Sequence, residues 1–167
     1  MNSATPDDLS TEILSGPQQE EREKTKSALE KESEILKSRL IKERHDNVSV
    51  RTDTLTVNKG NFRGELTFQY SFVGGYFDFK TLQYRITRFN GQSGGNKANI
   101  NLHLWNEPSD WRSNSPDAMW QDGKWHNYER EANLREWGWI TVWAEFIFDK
   151  GGGDPSGPTY KQYYPSI

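Results

Sequence analysis

The chain has no cysteine, which excludes disulfide frameworks, thiol catalysis and zinc sites of the cysteine type. It also lacks any run of about 18 apolar residues, and its first part carries no basic stretch followed by an apolar one. Neither a transmembrane helix nor a signal peptide is read from such a sequence. The expectation is a cytoplasmic protein, or one exported without a conventional signal. A basic excess is missing too: the chain's 21 Lys/Arg stand against 24 Asp/Glu, so no nucleic-acid partner is expected, because such modules usually show a basic patch and a high pI. No Gly-rich phosphate loop, nucleophile elbow or HExxH spacing occurs, and no repeat of 20 to 50 residues is seen.

Apolar residues are scarce at 32 %, and the scarcity is uneven. Residues 1–46 hold eight Lys/Arg against eleven Asp/Glu, which leaves thirteen of each for residues 47–167. All seven Trp fall between Trp105 and Trp143. The chain therefore reads as a polar segment joined to an aromatic-rich domain. Residues 1–17, with Pro6, Gly16 and Pro17, lack periodicity and are expected to be disordered. From Gln18 to about His45 the composition turns to Glu, Lys, Arg, Ala and Leu without Gly or Pro, which predicts a long helix, a stalk spanning 18–46. Leu29, Leu36 and Leu40 share a seam too sparse for a coiled coil. A solvated stalk is the first expectation, and an oligomer formed through 18–46 the second.

After His45 the period becomes two. Val48 and Val50, then Leu55 and Val57, suggest one or two strands, and Leu66, Phe68, Tyr70 and Phe72 alternate with polar residues. Phe77 and Phe79, then Leu82, Tyr84 and Ile86, form a further apolar face. NGQSGGNK, residues 90–97, reads as a mobile polar loop, and Ile100, Leu102 and Leu104 mark the next strand. Residues 106–124 read as a long irregular connection, followed by a short strand from Trp125 and a helical turn within 129–135. Trp137–Asp149, WGWITVWAEFIFD, has one core face, Ile140 to Phe148, and an opposite face bearing Trp137, Trp139, Thr141, Trp143, Glu145 and Ile147. Residues 151–167, with three consecutive glycines and three prolines, read as a flexible or surface-packed tail. Short strands separated by Gly- and Asn-rich turns, with no helix between them, predict a mainly β fold. The expected form is an antiparallel, jelly-roll-like β-sandwich of six to eight strands over 47–150, preceded by one long polar helix.

The chemistry-bearing feature is aromatic. A sugar offers an apolar C–H face and a rim of hydroxyls, so its binding calls for flat rings flanked by amides and carboxylates. Rigid aromatics give contact area at low entropic cost, and short polar groups set orientation. The candidate ligand-binding residues are Trp105, Trp111, Trp120, Trp125, Asn101, His103, Asp110, Asp122 and Glu145. On this reading the 106–124 segment lies over the second face of the 137–149 strand, with Trp111 and Trp120 touching the ligand and Trp139 and Trp143 as the floor. The competing view is that the indoles are core staples. The expected function is non-enzymatic, lectin-like binding of a glycan or another flat small ligand. The alternatives are a membrane-active, cytolysin-like protein at a membrane surface, using interfacial Trp and Tyr, and a structural or interaction module assembled through the helix.

Catalytic and metal chemistry have little support. His103 and His126 could approach each other across a sheet, but no ligand spacing supports a shared site. Glu107 and Glu145 could be a glycosidase pair only at a separation the sequence does not fix. Asp110, Asp117 and Asp122 share a loop without calcium-loop spacing. No cofactor and no catalytic residue is assigned.

Overall fold

A computed structural model describes residues 16–46 and 48–165. The chain forms two units that divide after Asn47. The first contains helix α1, Gly16–Asp46, so Gly16 and Pro17 begin the helix and the rest of the expected disordered N-terminus lies outside the described residues. Leu29, Leu36 and Leu40 are each more than half exposed. The composition explains this: a helix with so few apolar side chains has no stripe wide enough to bury. Among the described residues no helix is long and apolar enough to cross a membrane.

The second unit is an antiparallel β-sandwich. Its strands are β1 (Arg51–Lys59), β2 (Phe62–Val73), β3 (Tyr76–Arg88), β4 (Asn99–Asn106), β5 (Ser109–Asn114), β6 (His126–Asn127), β7 (Glu131–Arg135), β8 (Ile140–Ile147) and β9 (Ser156–Tyr163). One sheet has the order β1-β2-β3, with β6 and β7 both pairing on the free side of β3. The other has the order β5-β4-β8-β9. Tight hairpins follow from the turn residues. Val73 pairs with Tyr76 across Gly74-Gly75, both at positive φ, the conformation a type I′ turn demands and glycine adopts without penalty.

The interior lies between the sheets and is built from phenylalanine and aliphatic side chains. Phe62, Phe68, Phe77, Phe146 and Phe148 are fully buried with Leu55, Leu66, Ile86, Ile100, Leu102 and Leu104. Each such side chain contributes roughly 1.5–3 kcal/mol by leaving water. Phe62 of one sheet stacks on Phe148, which follows β8, with centroids 4.9 Å apart. Glycine gives facing side chains room between the sheets: a Cβ on Gly64 would overlap the Phe146 ring, and one on Gly157 would overlap Val57. No tryptophan is among the buried residues.

Three expectations are corrected. The irregular connection contains β5, whose Trp111 pairs with Leu104 and faces inward. The proposed helical turn is β7: Ala132 and Leu134 alternate with polar residues and pair beside Phe79 and Phe77, so tertiary pairing overrides a helix-favouring composition. The expected tail is mostly the edge strand β9, where Lys161 and Tyr163 point inward and Pro158 sits at an edge that tolerates a missing N–H. The 90–97 loop is anchored. Buried Gln121 donates from Nε2 to the carbonyls of Gly95 and Asp149, each at 2.9 Å, and its Oε1 accepts the Asp149 N–H.

The edge between β1 and β9 is held by a polar latch. Inward-facing Asp53 accepts the Tyr163 hydroxyl at 2.7 Å and its neighbour's N–H at 2.7 Å, and pairs with Lys161. Burial would raise the Asp53 pKa, but the hydrogen bonds from Lys161, Tyr163 and Thr54 outweigh it and hold the carboxyl below its usual range. A depressed carboxylate pKa stabilises the fold above the unfolded value, near 4, and that stability is lost as pH falls through the folded value. Asp53→Asn is therefore expected to cost about 1–3 kcal/mol at pH 7, with the gap to the parent narrowing in urea titrations run toward pH 3; a constant gap would reject the ionic latch. Gly64→Ala is expected to cost about 1–3 kcal/mol through overpacking against Phe146, measured as a lowered urea midpoint with unchanged slope.

Candidate functional site

Side chains along a strand alternate between faces, so the pairing register fixes which residues share the outer surface of the β5-β4-β8-β9 sheet. Arg112, His103, Trp143 and Tyr160 form one row across the four strands. Asp110, Trp105, Thr141 and Gln162 form the next, and Asn114, Asn101, Glu145 and Pro158 lie on the other side of the first. Beyond them Trp139 and Tyr164 meet with centroids 5.1 Å apart at 54°.

The polar groups in these rows brace the rings. His103 stacks on Trp105 at 4.2 Å and 29°, and its Nε2 lies 3.0 Å from Asp110 Oδ2. Arg112 Nε donates to the other Asp110 oxygen at 3.2 Å. These two hydrogen bonds, that of His103 first, hold the Asp110 carboxyl below its usual range. Gln162 donates to Thr141 Oγ1 at 3.1 Å, and the Trp137 indole N–H donates to Glu107 at 3.0 Å. Asn101, Asn114 and Glu145 make no side-chain hydrogen bond among the described residues. Trp105 and Trp143 are half-buried, whereas Trp139, Tyr160 and Tyr164 are at least half exposed.

The expected site residues divide into three groups. Trp105, Asn101, His103, Asp110 and Glu145 come together on this face. Trp111, on β5, is turned away from it, half-buried against the core with its ring 6.4 Å from Phe79. Trp120, Trp125 and Asp122 belong to the segment running along β3 of the other sheet. There Arg85, bidentate to Glu65 at 2.7 and 3.0 Å, lies 4.6 Å below the Trp125 ring. His126 stacks with both Tyr84 and Trp120, with centroids 5.4 and 6.1 Å away. It meets Asp122 at 2.8 Å; burial opposes ionisation of Asp122, but the hydrogen bonds from His126 and the Lys124 N–H outweigh it and depress its pKa. His103 and His126 thus stand in different sheets and share no site. The 106–124 segment does not roof β8: its central part is β5, in the plane of the same sheet.

Trp143 and Trp139, expected as a floor, are themselves on this face, and residues outside the expected set complete it: Arg112, Tyr160 and Tyr164. The alternation Tyr160, Gln162, Tyr164 signals the last two, but the preceding glycine run obscures it. A separate groove of about 440 Å³ crosses the outer face of the first sheet between Ser71, Asp78, Lys80, Glu131 and Asn133. Lys80 bridges Glu131 at 3.1 Å and Glu129 at 3.5 Å there. Among the described residues no group of three or more His, Asp or Glu is arranged to hold a metal ion. No protein-family model, curated protein or solved structure matches the chain.

These placements separate surface rings from core ring. Trp139→Ala and Tyr160→Ala are expected to change unfolding free energy by no more than about 0.5 kcal/mol. Trp111→Ala is expected to cost about 3 kcal/mol, the low end for a core indole. Chemical denaturation of the three variants checks this, and equal losses would contradict the inward placement of Trp111.

Proposed function

We propose that the β-domain is a non-enzymatic, lectin-like carbohydrate-binding module whose ligand lies on the outer face of the β5-β4-β8-β9 sheet. The observation that carries this reading is the register that sets Trp143 beside Tyr160, with Trp105 one row away on the neighbouring strand of the same face. Amides and a carboxylate that make no side-chain hydrogen bond among the described residues, Asn101, Asn114 and Glu145, stand in the row on the other side of Trp143. The rings offer flat apolar area to the C–H face of a sugar, and the side-chain amides and Glu145 offer hydrogen bonds to its hydroxyls. His103 stacks on Trp105 and is itself held by Asp110, so less ring freedom remains to be lost on binding.

Binding of the full chain to a broad glycan array, followed by calorimetry on the best ligand, tests the proposal. Trp105→Ala and Trp143→Ala are each expected to weaken binding about tenfold or more, and Trp125→Ala, on the other sheet, to leave it unchanged. Loss of binding only in Trp125→Ala would place the ligand elsewhere, and no binding to any glycan would remove the function.

A second reading, association with a membrane surface, has one observation in its favour. The exposed rings of this face, Trp137, Trp139 and Tyr164 at one end and Tyr160 in the Trp143 row, are all of the two types that favour the bilayer interface. Flotation with phosphatidylcholine vesicles separates the readings, because a sugar-binding face leaves the protein at the bottom of the gradient.

A further inference from the structure

We infer that the ligand of this face is an extended, uncharged polysaccharide chain and not a mono- or disaccharide, an inference that rests on the carbohydrate-binding function proposed above. The argument is one of dimensions. Trp143 of β8 and Trp139, which immediately precedes that strand, lie four residues apart, which separates their backbones by about 13 Å at roughly 3.3 Å per residue of extended chain. Trp105 on β4 and Tyr160 on β9 are two strand spacings apart, about 10 Å. One pyranose ring covers one indole, so a single sugar unit would leave most of this aromatic area in water. A chain laid over the face reaches several rings at once, and their contributions act as linked sites, each raising the effective concentration of the next.

The polar groups have the same layout. Asn101, Asn114 and Glu145 lie on one side of the ring cluster, Gln162 within it, and Glu107, hydrogen-bonded to Trp137, near the other side. Hydroxyl-binding groups are thus strung along the face and do not converge on one point, the arrangement a repeating ligand uses. Charge restricts the class further. Arg112 is the only Lys or Arg in the three rows, and Asp110 pairs with it, while Glu145 has no ion-pair partner among the described residues. Such a surface repels polyanions and gives a neutral polymer no long-range attraction to lose in salt.

Calorimetry of the full chain with the mono-, di- and hexasaccharide of the best array ligand tests the inference. It is paired with pull-down on neutral polysaccharides (cellulose, xylan, mannan, chitin) and on acidic ones (polygalacturonate, alginate). The expected result is a dissociation constant at least tenfold lower for the hexasaccharide than for the disaccharide, retention on a neutral polymer, and little change up to 0.5 M salt. Trp139→Ala, which removes an exposed ring, should weaken hexasaccharide binding severalfold with little effect on the disaccharide. Trp143→Phe, which keeps a ring in the half-buried position, should weaken it less than Trp143→Ala. Equal affinity for mono- and hexasaccharide, or preference for the acidic polymers, would overturn the inference and leave carbohydrate binding standing. Failure of every sugar to bind overturns both.

Discussion

A two-layer sandwich has a single interior, and every strand contributes to it with only half of its side chains. In this chain that interior is claimed by phenylalanine: five Phe side chains are fully buried, and Phe146 lies directly on the backbone of Gly64. The glycine contact sets the sheet separation at that point, because any side chain there would hold the layers apart. With the gap so narrow, an indole fits only at the margin, as Trp111 does beside Phe79. The remaining tryptophans are driven to the outer surfaces and the edges. The aromatic face is thus a consequence of how the core is filled, and the idea that indoles serve as core staples does not hold here.

That division was half legible in the residues. The inward faces of β2, β4 and β8 follow directly from alternation, since Leu66 to Phe72, Ile100 to Leu104 and Ile140 to Phe148 each keep one parity. In β3 the apolar positions change parity between Phe79 and Tyr84, and the structure shows why. A bulge places Leu82 as an extra residue between Thr81 and Gln83; before it, Thr81 keeps the inward parity of Phe77 and Phe79, and its hydroxyl donates to the Tyr128 carbonyl at 2.6 Å and accepts the Arg130 N–H at 2.7 Å. One threonine thereby fixes the short segment that runs from β6 to β7.

What alternation does not encode is which strands become neighbours. Trp105, Trp120 and Trp125 look alike in sequence, yet β4 joins β8 while β6 joins β3, and the candidate ligand residues separate accordingly. Edge strands were the hardest to read. β5 carries polar residues and a single inward indole, β7 has helix-favouring composition, and β9 follows a glycine run and contains Pro158. Their strand character is imposed by the ladder beside them. The Gln121 network escaped for a related reason: nothing local marks a glutamine that closes three backbone hydrogen bonds between segments distant in sequence.

The Asp53 latch joins the first strand of the β-domain to its last, and Asp53 lies two residues from the start of β1 while Tyr163 ends β9. The two ends of the domain therefore emerge side by side, from edge strands of opposite sheets. Tension transmitted through the chain would not shear a long ladder all at once. It would peel β1 and β9 away from their sheets pair by pair, starting at this carboxylate, so the domain is mechanically weak along its own chain axis even though its core is dense. A load applied through a ligand on the outer face reaches β4 and β8, the two inner strands of their sheet, and is shared by the ladders on either side. The geometry makes the domain firmer when pulled by its surface than when pulled by its ends.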